Sequence, residues 1–193
     1  MILLNIFTSA TLMKPLTYQD FTIKARAKGF GRVRARLQQV GARCLGTDQQ
    51  VDTYFATETG KLKLREGTIE NLITHYQRVN EAGIEKTLVF RYDLNPTPQE
   101  VAALHSHSGV VGQVRKERTI YLLGIHKIHL DQLEGDCFIE IESIDRHAAY
   151  TSQQLKALCL EMKEKLEIAD ADLVPTGYFR NGSLNKNLQY VRR

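Results

Sequence analysis

Alternation of apolar and polar side chains at a period of two runs through most of the chain. It marks candidate strands at Tyr18–Ala27, Cys44–Ala56, Lys61–Glu66, Leu72–Val79, Glu85–Leu94, Val110–Leu122, His126–Leu133 and Phe138–Ile144. Short joins containing glycine (Glu58–Gly60, Ala82–Gly83, Gly124 and Gly135) predict hairpins between several of them. Three other stretches repeat at three and four residues. In Phe30–Val40 the apolar positions are Phe30, Val33, Leu37 and Val40, with Gly41 as a stop. Thr97–His107 carries Val101 and Leu104 behind Pro98, a residue suited to a first helical turn. The third stretch opens with Thr151 and Gln154 in capping-box spacing and continues through Leu155, Leu158, Cys159, Met162 and Leu166. Eight strands joined by hairpins, with few helices, predict an α+β fold: an eight-stranded antiparallel barrel with helices packed on the outside.

The charges change this picture. Side chains two apart share one face of a strand. Lys61-Leu62-Lys63-Leu64-Arg65 therefore sets three cations against two leucines. Lys116 aligns with Arg118, Lys24 with Arg26 and Lys28 behind Asp20 and Thr22, and Glu140 with Glu142 against Ile139 and Ile141. His129 with Asp131 and Asp52 with Tyr54 form two more such pairs. One charged face alone is ordinary solvated surface. Six together, in a sheet that must also offer helices an apolar outer face, place the charges inside. Two like charges ~4 Å apart repel by ~4 kcal/mol at an effective dielectric of 20, so an inward cationic wall calls for an anionic ligand. Triphosphate with a divalent metal satisfies cations and carboxylates together.

Composition narrows the alternatives. The 193 residues suit one domain, and a net charge of +4 is compatible with anionic partners without identifying one. Three widely spaced cysteines form neither a disulfide framework nor a thiolate zinc site, which points to a reducing cytoplasm. There is no HExxH, Walker A loop or helix-opening GxGxxG, and His105 with His107 reads as a polar loop. No segment has the length of a membrane span. The apolar stretch 1–16 reads as an extension, with Met13 as an alternative start, and the basic stretch 181–193 as a tail.

The order of these motifs resembles the class IV adenylyl cyclase and thiamine triphosphatase (CYTH) superfamily, closest to the cyclase branch. The resemblance rests on Gln50–Phe55, Gly60–Glu66, His75–Arg78, Val114–Arg118, His129–Asp131 and Phe138–Glu142, spread from about Tyr18 to Tyr178. It implies an eight-stranded triphosphate tunnel over residues 17–180. Lys24, Lys63, Arg65, Arg78, Lys86, Lys116 and Arg118 would hold phosphates, with Arg26 adding to the basic wall. Glu140 and Glu142, helped by Asp20, would bind Mg²⁺ or Mn²⁺. Asp131, Lys116 and Arg118 would stand at the reaction centre. The family opens with Glu-x-Glu-x-Lys, whereas here the strand reads Asp20-Phe21-Thr22-Ile23-Lys24, and a threonine hydroxyl brings no negative charge.

The implied function is metal-dependent chemistry on an organic triphosphate, with ATP cyclisation first and triphosphate hydrolysis as the alternative. A non-catalytic triphosphate sensor is a further reading, motivated by Thr22. A homodimer is compatible with each. Arg32, Arg34 and Arg36 on the first helix suggest nucleic-acid binding, though a solvated helix face explains them more simply. Glu134 reads as a solvated carboxylate at a strand end, Tyr54 as a residue that either reaches a ligand or sits at the barrel mouth, and Tyr178 as a neighbour of the site.

Overall fold

A computed structural model describes residues 18–81, 84–174, 179–180 and 183–184. Its centre is a closed barrel of eight antiparallel strands: β1 (Tyr18–Ala27), β2 (Arg43–Phe55), β3 (Lys61–Glu66), β4 (Leu72–Glu81), β5 (Ile84–Leu94), β6 (Val110–Leu123), β7 (His126–Leu133) and β8 (Asp136–Asp145). Around the barrel the order is β1-β5-β4-β3-β2-β6-β7-β8, with β1 paired to β8 to close it. Helix α1 (Gly31–Gln39) joins β1 to β2, α2 (Pro98–His107) joins β5 to β6, and α3 (Ser152–Lys165) follows β8. A two-stranded piece, β9 (Phe179–Arg180) with β10 (Ser183–Leu184), lies within the stretch expected to end in a tail.

The hydrophobic core lies outside the barrel. Phe21, Ile23 and Ala25 of β1, Ile128 and Leu130 of β7, and Ile139 and Ile141 of β8 meet Val33 and Leu37 of α1 and Leu155, Cys159, Met162 and Leu166 beyond them. On the opposite side Leu104 of α2 covers Phe55, Leu64 and Ile73. Because side chains alternate across a strand, burying these apolar rows under helices turns the intervening charged rows into the lumen. Each helix is placed by its ends. Both α2 and α3 carry a complete capping box, at Thr97/Glu100 and Thr151/Gln154. The amide of Ala42 donates to Leu37 and that of Gly41 to Gln38, a Schellman closure that needs the left-handed φ of +73° at Gly41.

The hairpins follow the glycines. Glu134 and Gly135 both have positive φ, as a two-residue type I′ turn requires, and Glu134 is exposed there. At Gly60 a Cβ would stand 2.4 Å from the Tyr76 carbonyl, so only glycine lets β3 pass β4 at that point. The Ala82–Gly83 join lies outside the described residues. His105 and His107, expected in a loop, form the last turn of α2. His105 meets the ring of Phe55 edge-on, with centroids 5.0 Å apart.

Candidate active site in the barrel lumen

One end of the lumen is filled by Tyr54, Val114, Leu133, Phe138 and Val174. Val174 is brought there by the chain after α3, where Leu173 bridges Ala25 and the Val174 amide donates to the Lys24 carbonyl. Tyr54 is therefore part of this plug and also lines the inner space beside it. From the plug to the other end run two adjoining spaces lined mostly by polar and charged side chains. They share Lys63, Arg65, Tyr76, Arg78 and Glu142.

The inner space is lined by seven basic side chains against three acidic ones. The cations are held in place by buried carboxylates. Asp52 accepts Arg65 Nε and Nη2 at 2.7 and 2.9 Å, Lys116 at 2.5 Å and Lys63 at 3.5 Å. Burial disfavours its charge, but Arg65, Lys116 and Lys63 outweigh that and hold the Asp52 carboxyl well below the usual range. Asp131 grips Arg118 with both oxygens, at 2.6 and 2.5 Å, and Glu140 accepts a further bond from Arg118 at 2.8 Å. Glu140 also lies 3.1 Å from Lys24 and 3.7 Å from Arg78.

Even so, positive charge is in excess. Burial, with Arg65, Lys116 and Arg118 nearby, pushes the Lys63 ammonium down to about 7. Burial with Arg65 and Arg118 takes Lys116 to about 8. A buried lysine loses its proton this readily when cations crowd it.

The outer space opens at Tyr18, Tyr92 and Arg146. The Arg146 guanidinium lies 4.4 and 4.5 Å from the two ring centroids. Leu72, Val89 and Ile144 add apolar wall beside Thr74, Thr87, Asp20 and Lys127. Asp20 is buried, and its carboxyl is raised to about 7 by burial and by Glu142. Thr22 donates its hydroxyl to Asp20 at 2.9 Å.

The expected site residues thus converge, with four exceptions of placement. Lys24, Lys63, Arg65, Arg78, Lys116, Arg118, Glu140 and Glu142 line the inner space. Lys86 does not. It stands opposite Phe21 of β1 and shares the outer face with Ile84 and Leu88, while Thr87 faces inward. Arg26 sits at the plugged end, over the Phe138 ring at 5.4 Å and 4.0 Å from Asp136. Asp131 is fully buried behind Arg118 and positions it without lining the space. Asp20 lines the outer space with Glu142 and is not one of the three converging donors described next. Tyr178 lies outside the described residues.

Donor atoms of His129, Glu140 and Glu142 all lie within 4.8 Å of one another. Carboxylates converging with a neutral imidazole are a donor set that fits a divalent metal. Sequence reasoning set aside His129 and overlooked Glu70 and Lys127. Glu70 reaches Arg65 at 2.7 Å and Lys127 at 2.6 Å from a loop, where no strand alternation signals an inward side chain. The loop itself is tied by Asp48, which accepts the amides of Thr68 and Glu70 at 2.7 and 3.0 Å. The basic face of α1 is partly spent within the fold: Arg32 and Arg36 pair with Glu167, and Arg34 lies over Phe30 at 5.8 Å.

Among the described residues, no helix is long and apolar enough to cross a membrane. No curated protein sequence matches the chain. Similar solved structures include the PH1012 protein of Pyrococcus horikoshii OT3, with 22% identity over 82% of this chain and 96% of that one and a TM-score of 0.68. An adenylate cyclase candidate of Vibrio parahaemolyticus shares 19% identity over 82% and 94%, with a TM-score of 0.63. An adenylyl cyclase candidate from Hippeastrum with a dominant triphosphatase activity shares 16% over 82% and 91%, with a TM-score of 0.51. These likenesses establish the fold. A profile of the CYTH domain matches residues 22–178, nearly the whole barrel and the helices around it. The chain therefore belongs to the CYTH domain family.

Proposed function

We propose that this chain binds an organic triphosphate with a divalent metal in its tunnel and cleaves a phosphoanhydride bond of that ligand. The observation that carries the reading is the surplus of positive charge lining the inner space, seven basic side chains against three acidic ones. A triphosphate chain brings roughly one negative charge per inner phosphate and up to two at its end, which offsets such a surplus. Lys24, Lys63, Arg65, Arg78, Lys116 and Arg118 would take phosphate oxygens from several sides. Asp52 and Asp131 fix the guanidinium and ammonium groups before the ligand arrives, so little reorganisation remains at the moment of reaction. Glu140 and Glu142 would hold Mg²⁺ or Mn²⁺, which when bound neutralises phosphate oxygens and favours departure of the leaving group.

The outer space supports an organic rather than inorganic substrate, because tyrosine rings and aliphatic side chains there suit a flat apolar moiety beside the phosphates. Cyclisation of ATP is the leading reaction: the ribose 3′-hydroxyl attacks the α-phosphorus, its proton is removed and pyrophosphate leaves. Hydrolysis is the second reading, in which water attacks the terminal phosphorus. The Hippeastrum protein, a cyclase candidate in which triphosphatase activity dominates, favours keeping it.

The test is incubation with ATP and Mg²⁺ or Mn²⁺, with products separated by chromatography and Glu140→Ala and Lys116→Ala as controls. Cyclic AMP with pyrophosphate establishes the first reaction, and ADP with phosphate the second. ATP binding without either product leaves a sensor and refutes the enzymatic reading.

A further inference from the structure

We propose that His129 is a metal ligand, and that with Glu140 and Glu142 it forms a mixed imidazole–carboxylate centre selecting a first-row transition metal over Mg²⁺. The inference deepens the reading above, but metal binding can be measured without turnover.

His129 is fully buried on the lumen face of β7, and neither ring nitrogen has a hydrogen-bond partner. A buried imidazole is normally satisfied, so the unpartnered Nδ1 calls for a ligand. Nδ1 faces the two carboxylates of β8, 3.5 Å from Glu140 Oε2 and 4.0 Å from Glu142 Oε1. Donors around a tetrahedral ion with bonds near 2.1 Å are roughly 3.4 Å apart. The three donors therefore need only small movements to share one ion, and Glu142 is the freest, with 23% of its side chain exposed. Strand β1 does not supply the position. Thr22 stands opposite Glu142 in the register, and its hydroxyl is already donated to Asp20.

The donor type sets the selectivity. Mg²⁺ prefers oxygen donors and retains its waters, whereas imidazole suits Fe²⁺, Ni²⁺ and Zn²⁺, and Mn²⁺, though also an oxygen-binding ion, accepts one nitrogen donor more readily than Mg²⁺ does. The charge environment sets the order of binding. Glu140 is engaged by Lys24 and Arg118, so a cation must compete with them. A polyphosphate that draws Lys24 and Arg118 away frees Glu140, and should therefore tighten metal binding.

The experiment is a Mn²⁺ titration of the full chain by electron paramagnetic resonance, alone and with inorganic tripolyphosphate, competed with Mg²⁺. Pulsed measurements on the bound ion then read nitrogen coupling. A directly bound imidazole nitrogen is expected in the wild type. His129→Asn should abolish that coupling, weaken Mn²⁺ at least ~10-fold and erase its preference over Mg²⁺. Glu142→Gln should weaken Mn²⁺ but keep the nitrogen signal, which preserves the test if His129→Asn fails to fold. Bound Mn²⁺ without nitrogen coupling overturns the role of His129, whatever the activity. Absence of Mn²⁺ binding with and without tripolyphosphate overturns the centre altogether, while ATP turnover supported by Mg²⁺ would show the function surviving its loss.

Discussion

Filling the tunnel with a polyanion should draw protons into it. Burial and neighbouring arginines push the Lys63 ammonium down to about 7 and that of Lys116 to about 8. At pH 8 roughly one tenth of Lys63 and half of Lys116 are then protonated. A bound triphosphate restores both to the charged form, an uptake of ~1.4 protons at pH 8 and ~0.1 at pH 6. Affinity should accordingly fall roughly 25-fold per pH unit near pH 8.

The assay is titration calorimetry with tripolyphosphate in buffers of different ionisation enthalpy, with the ligand's own protonation subtracted. Lys63→Met should cut the uptake at pH 8 to roughly half a proton, the share of Lys116. Uptake near zero at pH 8 would refute the reasoning, since both lysines would then be charged without the ligand. The same groups act on stability. Their folded values lie below the ordinary 10.5, so the unfolded chain holds more protons between about 7 and 10.5. In that window they make the empty protein more stable as pH rises, and their penalty is fully present below about 7.

Asp52→Asn leaves Arg65, Lys116 and Lys63 without their shared counter-charge, and breaking such a buried group costs about 3–5 kcal/mol. Thermal melting should drop accordingly and recover in part with tripolyphosphate; a loss below ~1 kcal/mol would show the carboxylate is dispensable. Lys86→Ala should leave triphosphate affinity unchanged in the same calorimetric assay, whereas Lys116→Ala should weaken it at least ~10-fold, because only the second side chain faces the lumen. Leu37→Ala, under α1 in the outer core, should cost about 2–5 kcal/mol by denaturant unfolding.

Period-two alternation along the chain was sufficient to place eight strands, three of them with the observed ends, Tyr18–Ala27, Lys61–Glu66 and His126–Leu133. It determined that charged and apolar rows oppose one another, since that follows from strand geometry alone. The inward turn of the charged rows needed the helices as well, because an apolar outer sheet is stable only when something covers it. Lys86 marks the limit of reading by resemblance: its own alternation with Ile84 and Leu88 puts it outside, away from the basic wall.

Past Lys86 even alternation fails. The pairing passes from Tyr76–Val89 to His75–Arg91, so Phe90 is an extra residue and Tyr92 reaches the lumen on the opposite parity. A bulge of this kind re-aims a strand without any local sequence mark. Glu70 came from a loop tied by Asp48, twenty-two residues away in the chain, and only the closed barrel brings it to Arg65. His129 was visible as an inward partner of Asp131. That its ring is buried with no hydrogen bond beside two carboxylates is a fact of packing between β7 and β8, and no single strand carries it. Strand faces are local properties of the backbone, whereas convergence on a site depends on register and closure, which only the assembled barrel fixes.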